Sequence, residues 1–123
     1  MNNIINFLIG FIAVEHLGFL YLEMFLWATP KGQKIFKLEP EFAEQSANLA
    51  ANQGLYNGFL AAGLFWALFH ASTDFSYQLK LFFITCVFIA GLYGWMTVSK
   101  TILYVQAIPS AITLIFLLFL YQK

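Results

Sequence analysis

Apolar residues run along this chain in blocks of helix length, broken at only a few places. Segments 54–69, 81–98 and 102–121 contain no acidic, basic or histidine residue. A helix that crosses a membrane needs about 20 mostly apolar residues. The first block reaches that length once the milder 47–53 is added. Segment 4–28 is also long enough, although it holds Glu15, His16 and Glu23. The pattern predicts an all-α, polytopic membrane protein: a four-helix transmembrane bundle forming a single domain over residues 1–123, with helices at about 3–29, 42–70, 78–99 and 102–121. The first stretch lacks a basic leading region and is too long for a signal peptide, so it is expected to stay as a helix.

The breaks between blocks agree with this count. Thr29-Pro30 and Lys31-Gly32 end the first helix, because proline disfavours helical geometry in the residue before it. Glu39-Pro40-Glu41 and Glu44 suit a helix start, with proline in the first turn and acids near the positive end of the dipole. Ser72-Thr73-Asp74 separates the middle pair of helices. Ser99-Lys100 marks a turn short enough to make the last two a hairpin.

Composition narrows the function classes. The chain is 61% hydrophobic and 10% charged, where a soluble domain carries about 25% charged residues. A water-facing globular enzyme is therefore excluded. Six lysines balance six acids and there is no arginine, so neither nucleic-acid binding nor a bidentate phosphate clamp is expected. The lone Cys86 sits in an apolar run and reads as packing. With four spans, Lys31, Lys34, Lys37 and Lys100 fall on one side, and Lys80 and Lys123 on the other. That bias places the 30–46 loop in the cytoplasm, both termini outside, and the protein in the cell membrane as a multi-pass chain.

Ionisable groups at membrane depth are the informative exceptions. A charged side chain at mid-bilayer costs about 2.5–3.5 kcal/mol, so three on one helix need partners or water. His16 and Glu23 are seven positions apart and share a face, about 10 Å apart along the axis. Counted from Thr29, Glu23 lies about 9 Å deep and Glu15 about 20 Å deep. The second helix runs back with Asn52, Gln53, Tyr56 and Asn57, the third brings Tyr93, and the fourth leaves with Tyr104 and Gln106. Polar groups from all four helices are thus expected to converge on the side of the lysine-rich loop, opposite a half lined by Leu, Ile, Phe and Ala.

Two roles are open for Asn52, Gln53 and Asn57: hydrogen-bond glue between helices, about 0.6 kcal/mol each, or contacts to a ligand. Carboxyls are an expensive glue, so Glu15 and Glu23, with His16 beside them as a proton partner, are the candidate catalytic groups. A carboxyl there is expected to hold a proton near neutral pH or to pair with His16. Asn52, Gln53, Tyr56, Asn57, Tyr93 and Gln106 are the candidate binding residues. No metal site is assigned, since Glu15, His16 and Glu23 lack the Glu/His spacing of di-metal bundles. Ala50, Gly54, Gly58 and Ala62 repeat every four residues, a small-residue ridge that admits a close neighbour.

These residues also carry a resemblance. Glu15-His16, then 22–27 (Leu-Glu-Met-Phe-Leu-Trp), then Asn52-Gln53-Gly54-Leu55-Tyr56-Asn57-Gly58 and on to Gly63 are similar to the bacterial and fungal family called domain of unknown function 1304. The match continues through Ala90-Gly91-Leu92-Tyr93-Gly94 to Gln106 and Pro109, in the family's order. The resemblance implies a small four-helix membrane protein and no activity.

The leading expectation is therefore an intramembrane polar pocket that binds a small lipophilic molecule, with acid–base chemistry on it as one form. Whether the protein is an enzyme stays open and no cofactor is indicated. Partners expected are membrane lipids, that ligand and a second copy in a homo-oligomer. The alternatives are a proton-coupled small-molecule transporter acting as a dimer, and a structural or accessory membrane subunit whose polar residues only lock helices together.

Overall fold

Every block of the sequence pattern becomes helix in the computed structural model, which describes residues 1–122. Helix α1 spans Asn2–Leu26 and closes on a wide π-helical turn, Leu22–Leu26. Helix α2 is Pro30–Phe36, α3 is Pro40–Phe69, α4 is Thr73–Thr97, and α5 is Lys100–Phe119 with a second π-helical turn at Leu103–Ala107. Three of these, α1, α4 and α5, are long and apolar enough to cross a membrane. Helix α3 has the length but not the apolarity, because Asn52, Gln53 and Asn57 interrupt its greasy half.

Two boundaries differ from the expected ones for local reasons. The 30–46 loop is not all loop. Thr29 caps α2 by accepting from the Gly32 N–H at 3.2 Å, Pro30 takes the first helical position, and Lys37 ends the helix in the left-handed conformation at φ 55°. Helix α4 begins at Thr73 rather than about residue 78, since the Ser72 hydroxyl accepts from the Phe75 N–H and Asp74 lies in the first turn. The consequence falls on Lys80, expected in the first turn of the third helix at its far-side end. It lies inside α4, on the buried face marked by Ser76, Lys80, Ile84, Val87 and Gly91.

The chain divides into two compact units, Val14–Ala61 and the remainder, with α1 and α3 contributing to both. In the first, α1 and α3 meet at the small-residue ridge. A Cβ at Gly54 would stand 2.9 Å from Met24 Cγ and 3.0 Å from Glu23 Cβ, and one at Gly58 would stand 2.5 Å from Leu20 Cδ1. Trp27 closes this unit, its indole N–H donating to Ser46 Oγ at 2.9 Å and its ring lying 4.7 Å from Phe36.

The second unit has its core in stripes at helical spacing: Ile5, Ile9 and Ile12 on α1, Leu64 and Ala67 on α3, Ile84 and Val87 on α4, and Ser110, Thr113 and Leu117 on α5. The opposite faces are as apolar as the buried ones, with Phe7, Phe82 and Phe119 exposed. A helix hydrophobic all round suits lipid on its outer face. Pro109 removes a backbone donor just after the Leu103–Ala107 turn, and the Ser110 hydroxyl donates to the Gln106 carbonyl at 2.6 Å.

Candidate functional site

The first unit holds a buried carboxyl. Glu23 sits in the π-helical turn that ends α1 and is only 5% exposed. Turns of this kind widen the helix and recur at functional positions. Asn57 on α3 donates its amide Nδ2 to Glu23 Oε1 at 2.7 Å. Gln53, one turn earlier on the same face, makes a second hydrogen-bond contact with the carboxyl. The Gly54 ridge allows this, since any side chain at residue 54 would meet Glu23 and Met24 before the helices came this close.

The other carboxyl oxygen is treated differently. Glu23 Oε2 is buried and has no hydrogen-bond partner, and the same holds for Glu15 Oε2 two turns earlier on α1. An unmet buried acceptor costs about 1–3 kcal/mol, so both are expensive features for a helix to carry. His16 is fully buried, its ring edge-on to Phe19 at a centroid distance of 5.2 Å.

The remaining candidates separate by helix face. Asn52 and Gln53 are exposed in the unit, and Tyr56 is 60% exposed with its ring edge-on to Phe59 at 5.6 Å. Tyr56 lies two residues, about 200°, from Gly54 around α3, so the face that carries Gly54 and Gly58 cannot also carry Tyr56. Tyr93 and Gln106 belong to the second unit. Tyr93 is 67% exposed. Gln106, in the second π-helical turn, donates its amide to the Val87 carbonyl at 3.1 Å. Of the candidate residues, Glu23, Gln53 and Asn57 are brought together, with Glu15 and His16 on the same helix as Glu23.

An all-helical chain with three helices fit to span a bilayer points to the membrane class, and a buried carboxyl on its first helix, met by an amide of α3, is its chemical mark. The chain belongs to the family described as protein of unknown function DUF1304, which it matches over residues 10–118. It is similar to an uncharacterized protein, YpaA, of Lactococcus lactis subsp. lactis, with 32% identity over 97 residues that cover 77% of this chain and 80% of that protein. No solved structure matches it.

Proposed function

We propose that Glu23, Gln53 and Asn57 form an intramembrane site for a small, partly apolar molecule, with Glu23 as the group that touches it. The observation that carries this reading is the divided carboxyl: Oε1 is held by Asn57 while the buried Oε2 has no partner. A group used only as glue would satisfy both oxygens or be an amide, since buried polar atoms are hydrogen-bonded in the great majority of cases. A ligand hydroxyl, amine or carbonyl would complete Oε2, depending on whether that oxygen carries a proton. Asn57 and Gln53 fix the rotamer, so the carboxyl is aimed before the ligand arrives.

In this reading α3 is a fourth span. Its Asn57 amide meets Glu23, so whole-helix apolarity understates its fitness to cross. Lys31, Lys34, Lys37 and Lys100 are all exposed while Lys80 is buried in α4, which sharpens the lysine bias toward a cytoplasmic 30–46 segment. Cysteine-accessibility labelling at residues 33 and 122 checks the topology. Residue 33 should label only from the cytoplasm and residue 122 only from outside. Labelling of both from one side would break the four-span reading, and exchanged sides would reverse its orientation.

The site itself is tested by what travels with the protein. The full-length chain and its Glu23→Gln variant are purified in parallel, and their small-molecule extracts are compared by mass spectrometry. The native chain should carry an apolar species that the variant loses, with bulk lipid equal in both. Identical extracts would remove the binding reading and leave the helix-locking one. Acid–base chemistry has its own measurement, infrared titration of the native protein against Glu15→Gln and Glu23→Gln. A carboxyl band that changes state between about pH 5 and 9, the range opened by burial, and vanishes in one variant supports proton transfer. A spectrum in which no carboxyl changes in that window rules it out.

A further inference from the structure

Lys80 stands where a membrane helix tolerates charge poorly. It lies seven residues into α4, about 10 Å along the axis from the first residue, and is only 4% exposed. A lysine near a helix end ordinarily runs its stem along the apolar surface and leaves the ammonium in water. Lys80 does not, because its ammonium lies 5.5 Å from the centre of the Tyr121 ring. Tyr121 is itself held in place. Its ring packs at a tilt against Tyr77 at 4.8 Å, and the backbone of its neighbour Gln122 is clasped by Asn2, which donates to the Gln122 carbonyl at 2.5 Å and accepts its N–H at 3.0 Å.

The hydrogen-bond inventory around Nζ is one-sided. An ammonium has three donors and no acceptor. One donor goes to Asn6 Oδ1 at 2.8 Å. Among the described residues, no aspartate or glutamate oxygen reaches Nζ. With its oxygen committed, Asn6 offers only the two donors of Nδ2, and these meet no acceptor among the described residues. The nearby Ser76 hydroxyl is already taken up by the Ala67 carbonyl at 2.7 Å. Donors therefore outnumber acceptors at a buried, positively charged position. A charge taken out of water without a counter-charge is among the costliest arrangements a fold can hold.

We propose that Lys80 and Asn6 form an anion site that takes a phosphate-type oxyanion, carried on a phospholipid headgroup or present as inorganic phosphate. Such a group accepts at every oxygen and donates at few, which matches the surplus of donors, and it supplies the missing negative charge. Tyr121 forms the cover of the site. The depth of Lys80 puts its ammonium within a side chain's length of the headgroup layer.

The test uses the full-length protein with two probes. One is lipid retention by native mass spectrometry after release from phosphatidylcholine nanodiscs with and without phosphatidylglycerol. The other is the unfolding midpoint in detergent with inorganic phosphate against chloride at equal ionic strength. The native chain should prefer phosphatidylglycerol, be stabilised by phosphate, or both. Lys80→Met should weaken that response by about tenfold, the loss expected for a charge-assisted hydrogen bond. Asn6→Asp should do the same by a different route, since its carboxylate supplies an internal counter-ion while the buried contact and the fold are kept. If Lys80→Met fails to fold, Asn6→Asp decides alone. Retention of phosphatidylglycerol without a phosphate response assigns the site to lipid, and the converse assigns it to the free ion. No preference in the native chain, or an equal one in the native chain and Asn6→Asp, overturns the proposal.

Discussion

Gly91→Leu should unfold the α4–α5 pairing at conditions where the native chain is intact. A Cβ at residue 91 would stand 2.8 Å from the Ala107 backbone nitrogen and 2.9 Å from its Cα. Those atoms belong to the Leu103–Ala107 turn and cannot swing aside as a side chain could. Overpacking of a tight contact typically costs about 1–3 kcal/mol, and a leucine adds three further carbons to the clash. The opposing term is helix propensity, where replacing glycine by alanine gains roughly 0.5–1 kcal/mol. At Gly91 the clash wins, so even Gly91→Ala should lower the unfolding midpoint. Gly18 supplies the control, because a Cβ there meets nothing within 4 Å and Gly18→Ala should raise the midpoint. Equal shifts at the two positions would show that the backbone contact at Gly91 carries no weight.

Glu23→Ala is expected to be the second large effect, and it should depend on Asn57. Removing the carboxyl leaves the Asn57 amide without its 2.7 Å acceptor, and removing Asn57 leaves the Glu23 carboxyl with only its Gln53 contact. The double variant Glu23→Ala/Asn57→Ala should therefore cost less than the sum of the singles. Hydrogen bonds between membrane helices average about 0.6 kcal/mol and reach about 1.7, and this one is buried and involves a carboxyl, so a coupling toward the upper end is expected. Independent sites add within about 0.3–0.5 kcal/mol. Additivity within that margin would mean that the two side chains do not stabilise one another, and the preorganised carboxyl would lose its support.

The reach of the sequence is clearest at this pair. Depth from Thr29 and helical phase put Glu23 and Asn57 among the candidates, because both numbers follow from the geometry of an unbroken helix. The same counting could not separate Asn57 from Tyr56, one residue away. That separation depends on which face of α3 meets α1, and it is decided by Gly54 and Gly58, where Leu20 and Glu23 approach too closely for any side chain. Gln106 shows the converse. Counting along the helix assigns it the depth expected of the cluster, yet its amide donates to the Val87 carbonyl, a use that no spacing rule signals.

The burial of Lys80 was illegible for another reason. A charge at the edge of an apolar block reads as a helix end near water, and the cap at Ser72 that starts α4 a turn earlier is a weaker mark than the charge itself. Its burial depends on Asn6, which is 74 positions away in the chain. The sequence by itself determined the all-helical class, the breaks near Thr29 and Ser99, the apolar outer surface and the carboxyls and amides that could meet, since each follows from local periodicity, proline geometry or the cost of a polar group in hydrocarbon. Only the tertiary structure decided the π-helical turns at Glu23 and Gln106, the burial of Lys80 and the outward tyrosines. Those features depend on how closely one helix backbone can approach another, and that distance is set by residues far apart in the chain.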